Sequence, residues 1–257
     1  MSNVQSLERA LNLLNLLSDY PNGIQISRLS EIAGLSKSTA HRLLSTLVNM
    51  NYVIKDEVTE KYKLSYQIIY LSRNLVENIN IIDIAKPFLE KLSEEINETI
   101  HLCIEDNGEV MYIDKIESNQ TIRMFSKVGS RAPMYCTGVG KVLLSGMGPE
   151  KYSKIASTMS YTPKTAKTIT SEKELTKEIN LIKKQGYALD NIENEEGIRC
   201  IAAPILDFHG KIIASFSISG PSSRITMERI NDELMSKIKK VSLAISKQLG
   251  YIPAVKS

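Results

Sequence analysis

The sequence is poor in cysteine, in histidine and in long apolar runs, and each shortage argues against a class of function. Three cysteines occur in 257 residues, Cys103, Cys136 and Cys200, widely separated and odd in number. A disulfide framework or a CxxC-type metal site is therefore not expected, and a reducing, cytoplasmic location is. The three histidines, His41, His101 and His209, also lack ligand spacing, so neither a metal nor another cofactor is expected. No apolar run approaches the ~20 residues that a membrane helix needs, so no membrane partner is expected. The opening run Met1-Ser2-Asn3-Val4-Gln5-Ser6 lacks a basic region followed by an apolar core, so no export signal is expected. Net charge is also small: 32 basic against 29 acidic side chains leave +3. What remains is ordinary globular composition, 42% hydrophobic and 24% charged, with no internal repeat or low-complexity tract. The length suits one large domain or two small ones.

Pattern, rather than charge, marks a boundary. Residues 1–80 hold 8 basic and 7 acidic side chains, and their net of +1 hardly differs from the +2 of the rest. The first segment reads as helices with one hairpin, and the second alternates strands and helices. Leu7, Leu11, Leu14 and Leu17, flanked by Ala10, Leu13 and Leu16, form a wide apolar helical face. Pro21-Asn22-Gly23 ends that helix, and Ser27 is expected to cap a second with Leu29, Ile32 and Ala33 inward. After a turn at Gly34, Ser36 caps a third helix with apolar Ala40, Leu43, Leu44 and Leu47. Ser38, His41, Arg42 and Ser45 share its other face. Asn51 suits a left-handed residue at its end. Residues 52–55 and 61–64 then read as a hairpin around a turn without glycine. These signals divide the chain into a helical domain with a hairpin at 1–65, a linker helix at 66–81 and a domain of alternating strands and helices at 82–257.

Farther on, a helix is expected over 83–97. Strands follow at 99–105 and 109–116 around Asp106-Asn107-Gly108, and another at 121–128. Residues 133–138 read as a loop and Gly140 to Ser145 as the start of a helix. Ser171 to Glu174 is a capping box opening a helix that Gly186 closes. Strands at 187–190, 199–206 and 211–219 flank an acidic loop at 191–197, and a long helix runs to Gly250. The runs Glu193–Glu196 and Lys237–Lys240 read as solvated faces.

Helix, glycine turn, helix and hairpin in that order is the layout of a winged helix-turn-helix, whose second motif helix presents polar side chains to the major groove. Lys37, Ser38, Thr39, His41, Arg42 and Ser45 are the candidate DNA contacts there, and Lys55, Lys61 and Lys63 those of the wing. Arg42 suits a phosphate or a guanine, and His41 suits a base contact or a bystander role. The competing reading is a three-helix bundle with a solvated polar face. The runs Val4–Leu11, Leu35–Leu44 and Lys61–Leu64 resemble the IclR family of bacterial transcriptional regulators. So do Met134–Lys141, Gly197–Pro204 and Ser217–Pro221, in the same order along nearly the whole chain. The family usually has glycine where Asn51 and Glu60 stand.

In the second segment, Gly138-Val139-Gly140 precedes a helix, so its backbone N–H groups can hold a carboxylate. Ser217 and Ser219 share a strand face, as do Ile198 and Cys200. Asp190 ends a strand, and Met124 offers an adaptable wall. Together they compose a pocket for a small acid; singly, the serines suit solvent, and Cys200 and Met124 suit the core. The resemblance implies a GAF-like domain with effector contacts at Met124, Gly138, Val139, Asp190, Ile198, Cys200, Ser217 and Ser219. It also implies a dimer of dimers. The expected fold class is thus α+β, a winged helix-turn-helix domain joined by a helix to a GAF-like α/β effector-binding domain. The expected partners are double-stranded operator DNA, a small carboxylate effector (a sugar acid, 2-oxo acid or aromatic acid) and a second copy of the chain. No catalytic residue is expected. The alternative is an enzyme using a C-terminal cysteine nucleophile, Cys136 or Cys200 with His101 or His209, but no spacing supports a triad.

Overall fold

The apolar stripe of the first helix divides when the chain folds. In the computed structural model, which describes residues 4–77, 80–120 and 126–253, helix α1 (Gln5–Ser18) buries Leu13 and Leu17. Leu7 and Leu11 stay more than half exposed. The chain falls into two units, Met1–Ile79 and Asn80–Ser257.

In the first unit, β1 (Ile24–Gln25) leads straight into α2 (Ile26–Ile32), and α3 (Lys37–Asn49) follows. Strands β2 (Val53–Lys55) and β3 (Lys61–Leu64) form the hairpin, and α4 (Gln67–Glu77) ends the unit. Strand β1 adds to the hairpin in the order β1-β3-β2. This pairing corrects the cap expected at Ser27. Gln25 is held extended against Lys61, so the helix begins at Ile26 and Ser27 lies inside it. Ile32, expected inward, is exposed. Leu13, Leu17, Leu29, Leu44, Leu47, Val53 and Tyr62 form the core.

The second unit opens with α5 (Ile81–Ile96), capped by Asn80, so residue 81 starts this helix rather than ending a linker. Strands β4 (Thr99–Asp106) and β5 (Glu109–Ile116) turn at Asn107 and Gly108, both at positive φ, the conformation a two-residue hairpin loop prefers. A short β6 (Arg131–Ala132) and helices α6 (Gly138–Ser145), α7 (Pro149–Thr158) and α8 (Glu172–Gln185) follow. Strands β7 (Ala188–Asn191), β8 (Ile198–Leu206) and β9 (Ile212–Pro221) come next. The last helix starts as α9 (Met227–Arg229), widens into a π stretch (Ile230–Leu234) and continues as α10 (Met235–Gln248). The strands build one antiparallel sheet, β6-β5-β4-β9-β8-β7.

Alternation along those strands makes two faces. Ile100, Leu102, Ile201, Ala203, Phe216 and Ile218 pack with α5 and α10. Cys103, Ala188 and Ala202 pack with α6 and α8. Of the strand expected over 121–128, residues 121–125 lie outside the described residues and Val128 sits in a turn. Helix α7 was not foreseen, although Gly148 at its cap, Pro149 at its first position and Glu150 in its first turn are start signals. In the Ser171 box, Ser171 Oγ accepts the Glu174 N–H, while Glu174 accepts from Thr170 N–H, one residue before the cap.

Candidate functional site

In the first unit the candidate residues are displayed, not enclosed. Ser36 Oγ accepts the Thr39 N–H and donates to Thr39 Oγ1, which fixes the start of α3. Beyond the cap, Lys37, Ser38, His41 and Arg42 are exposed, and Thr39 and Ser45 half-buried. Ala40, Leu44 and Leu47 anchor the opposite side. Thr46 Oγ1 donates to the Arg42 carbonyl within the helix. The glycine-free wing turn is built by Asp56. Its carboxylate accepts from the N–H groups of Val58 and Thr59 and from the Thr59 hydroxyl, which together hold it below its usual pKa. Gln25 donates to the Thr59 carbonyl. Asn51 is left-handed at φ 62°, and Glu60 adopts φ 58° where glycine would be unstrained. Glu60 also pairs with Lys55, so one wing cation is part-neutralised within the turn, whereas Lys63 is exposed.

In the second unit, a cavity of about 270 Å³ gathers Gly138, Val139, Asp190, Ile198, Cys200, Ser217 and Ser219. Strand register explains the convergence. Asp190, Cys200, Ser219 and Thr99 form one row across β7, β8, β9 and β4; Ala188, Ala202, Ser217 and His101 form the next. A Cβ on Gly138 would come within 3.2 Å of Ala202 Cβ and 3.4 Å of Asp190 N, so glycine lets α6 start close above these rows. Thr137 Oγ1 accepts the Gly140 N–H, and the Thr137 carbonyl accepts that of Lys141. The Gly138 and Val139 N–H groups have no partner among the described residues, and a helix start with free N–H groups can hold an anion. Met124 lies outside the described residues.

Asp190 is 2% exposed. Its Oδ1 accepts the N–H groups of Glu193 (2.7 Å) and Asn194 (3.3 Å). Desolvation outweighs those bonds and pushes the carboxyl up to about 7. The loop after it departs from expectation at Glu193, which is not solvated. Lys141 on α6, 1% exposed, donates to both of its carboxylate oxygens at 2.7 Å. A charge this deep needs such a partner, and the partner arrives from another element. Between Asp190 and Glu193, Ile192 sits at φ 64°, a strained setting for a β-branched residue. Thr165 and Thr168 pin it by donating to the carbonyls of Ile192 and Glu193, both at 2.6 Å.

His101, which the sequence offers as a catalytic base or a metal ligand without supporting spacing for either, lies in the cavity wall. Its Nδ1 lies 3.2 Å from Ser219 Oγ and its Nε2 2.6 Å from Ser126 Oγ. Tyr112 meets the ring edge-on at 5.1 Å. Burial, aided by the charge of Lys115, lowers the imidazole to about 3, so it is neutral. The signal that could have found it is the alternation Thr99-His101, the same pattern that marked Ser217 and Ser219.

Burial raises the Cys136 thiol to about 12 and those of Cys103 and Cys200 well above their usual value, the reverse of what activates a nucleophile. His101 bonds serines, not a cysteine. Among the described residues, no group of three or more His, Cys, Asp or Glu is arranged to hold a metal ion. A wider cleft of about 830 Å³ between the Asn107-Gly108 turn and α7 contains none of the expected effector residues.

Residues 6–57 match the IclR helix-turn-helix domain, and residues 73–247 match the bacterial transcriptional regulator IclR C-terminal domain. The chain is 35% identical to the HTH-type transcriptional regulator XynR of Escherichia coli over 248 residues, covering 96% of this chain and 98% of that one. Identity to the E. coli regulator KdgR is 36%, over 96% and 94% of the two chains. The crystal structure of the Agobacterium tumefaciens repressor BlcR superposes with a TM-score of 0.80 at 26% identity, covering 98% of this chain and all of that one. No helix among the described residues is long and apolar enough to cross a membrane.

Proposed function

The chain belongs to the IclR family of bacterial transcriptional regulators, and from that premise we propose that a small organic acid in the cavity of the second unit controls its affinity for operator DNA. DNA binding and regulation of transcription are the family's activity. The effector class and the residues that meet it are this reading's own. The observation that carries it is the convergence of Gly138, Val139, Asp190, Ile198, Cys200, Ser217 and Ser219 on one cavity at the start of α6.

In this reading the Gly138 and Val139 N–H groups take the carboxylate. The Ser217 hydroxyl donates to it as well, with Ser219 behind Ser217 in the same wall, and Asp190 binds a hydroxyl. Ile198 and Val139 supply the apolar wall. In the DNA complex, Lys37, Ser38, Thr39, His41, Arg42 and Ser45 face the major groove, and Lys55, Lys61 and Lys63 steady the wing on phosphate. A second copy of the chain covers exposed Leu7 and Leu11 on α1, giving a dimer that reads two half-sites. Two dimers then pair. The setting is the cytoplasm, and the BlcR likeness favours repression. The effector acts by binding one DNA-competence state better than the other.

A thermal-shift screen of D-gluconate, pyruvate and benzoate tests the effector class, since a ligand at 100 times its Kd stabilises by about 2.7 kcal/mol. The double variant Ser217→Ala/Ser219→Ala keeps operator binding and loses the shift. Retention of the full shift in that variant contradicts the placement.

A further inference from the structure

Resting on the effector reading just given, we infer that His101 is a positioning residue that sets, through Ser219, whether the Ser217 hydroxyl donates to the ligand. Four groups form one hydrogen-bonded line: Ser126 Oγ to His101 Nε2 at 2.6 Å, His101 Nδ1 to Ser219 Oγ at 3.2 Å, and Ser219 Oγ to Ser217 Oγ at 3.1 Å. His101, Ser217 and Ser219 are each under 5% exposed, and all four groups line the cavity.

The protons on this line can be counted. Each serine carries one hydroxyl proton, and a neutral imidazole carries one N–H and one bare nitrogen. Four protons serve three links, so one is left at an end of the line, and the histidine tautomer decides which end. With the proton on Nδ1, the line runs Ser126 to Nε2, Nδ1–H to Ser219, Ser219 to Ser217, and the Ser217 hydroxyl is free to donate into the cavity. With the proton on Nε2 the line reverses. Ser217 donates to Ser219, Ser219 donates to Nδ1, and Ser217 offers the cavity only lone pairs.

A carboxylate accepts and cannot donate. Ser217 lies opposite Ala202 across the strand pair, and Ala202 is the residue that Gly138 packs upon. The hydroxyl therefore stands beside the helix start proposed to hold the carboxylate. An acid there selects the Nδ1–H form, so that Ser217 adds a side-chain donor to the two backbone donors of α6. Burial keeps the ring neutral, which the count requires. A ligand with a donor group at this position reverses the line, so the same wall accommodates acceptors and donors without moving an atom heavier than hydrogen.

The test uses the full-length protein, D-gluconate, pyruvate and benzoate as probes, and nitrogen NMR of ¹⁵N-histidine-labelled protein, where only three histidines contribute. The expected spectrum with a bound probe shows a neutral His101 protonated on Nδ1. His101→Phe is expected to bind that probe about tenfold or more weakly, the worth of one lost hydrogen bond to a charged group. His101→Asn, whose amide can donate toward Ser219, is expected to restore most of the affinity. An Nε2–H or doubly protonated ring in the complex overturns the inference whether or not the variants fold. So does full affinity in a folded His101→Phe protein, and in both cases the effector reading stands if Ser217→Ala/Ser219→Ala loses binding. Failure of all three probes to bind the wild type overturns the effector reading and this inference with it.

Discussion

The two units treat charge in opposite ways. The first displays Lys37, Arg42 and Lys63 to solvent on a helix face and a wing. The second encloses Asp190, Lys141, Glu193 and His101 in a sheet-and-helix sandwich, all under 10% exposed. Under the proposed function the contrast follows from the sizes of the two targets. A DNA duplex is a large polyanion that reaches out to meet exposed cations, and water and salt remain at the contact. A small acid has to leave water, so its site supplies fixed N–H and O–H dipoles already in place. Lys55–Glu60 and Lys141–Glu193 are the same chemical pair in the two settings.

That contrast is sharpest for the ion pairs. Lys141→Ala leaves Glu193 buried without its cation, and a loss of about 3–5 kcal/mol in the unfolding of the second unit is expected by urea titration. Lys55→Ala, in a solvated pair, is expected to leave the unfolding midpoint unmoved. Equal effects from the two variants break the comparison.

Arg42→Ala is expected to cost about 1–3 kcal/mol of operator binding and to relax one base position if Arg42 reads guanine. Fluorescence anisotropy at fixed salt measures it, and unchanged affinity removes Arg42 from the DNA face.

Asp190 carries the pH dependence. Its folded pKa of about 7 lies above the ordinary 3.8, chiefly through desolvation, with Glu193 raising it and Lys141 opposing. It is neutral below about pH 7 and repels an anion above. Binding of a monoanionic acid is therefore expected to weaken about tenfold from pH 6 to 8, measured by calorimetry, and Asp190→Asn is expected to flatten the profile. Stability linked to this carboxyl is present below pH 4 and lost as pH rises toward 7. The depressed pKa of His101 works in the other direction, with stability lost as pH falls from 6.5 toward 3. Of these two opposing limbs Asp190→Asn keeps only that of His101, so stability rises more steeply between pH 4 and 6.5 than in the wild type.

The smallest effect is expected at the wing. Glu60→Gly removes about 1 kcal/mol of left-handed backbone strain and frees Lys55 from its carboxylate. A small rise in melting temperature and a steeper dependence of operator binding on salt are expected together. A lower melting temperature shows that the pairing outweighs the strain.

What the sequence alone made legible was local. The Ser36 cap and polar face of α3 depend on residues within two turns, and the sharing of a face by Ser217 and Ser219 depends only on strand alternation. What it hid was nonlocal. Nothing in the run Glu193 to Glu196 says that its first member meets Lys141, 52 residues earlier. His101 joins the site because β4 pairs with β9, an order that no short segment encodes. Apolar periodicity marked the face of α1, but Leu13 and Leu17 alone of its seven residues are fully covered within the unit. The cap assigned to Ser27 failed because a two-residue strand has too short a period to be seen.

The central claim is that an acid in the cavity of the second unit changes what the first does to DNA. The direct measurement is operator affinity by fluorescence anisotropy, using a site selected from random DNA. It is made with and without a saturating acid, for the wild type and for Ser217→Ala/Ser219→Ala. The account predicts a shift of at least about fivefold in the wild type and none in the variant at the same acid concentration. An equal shift in both proteins, or no shift in a wild type shown to bind the acid, contradicts it.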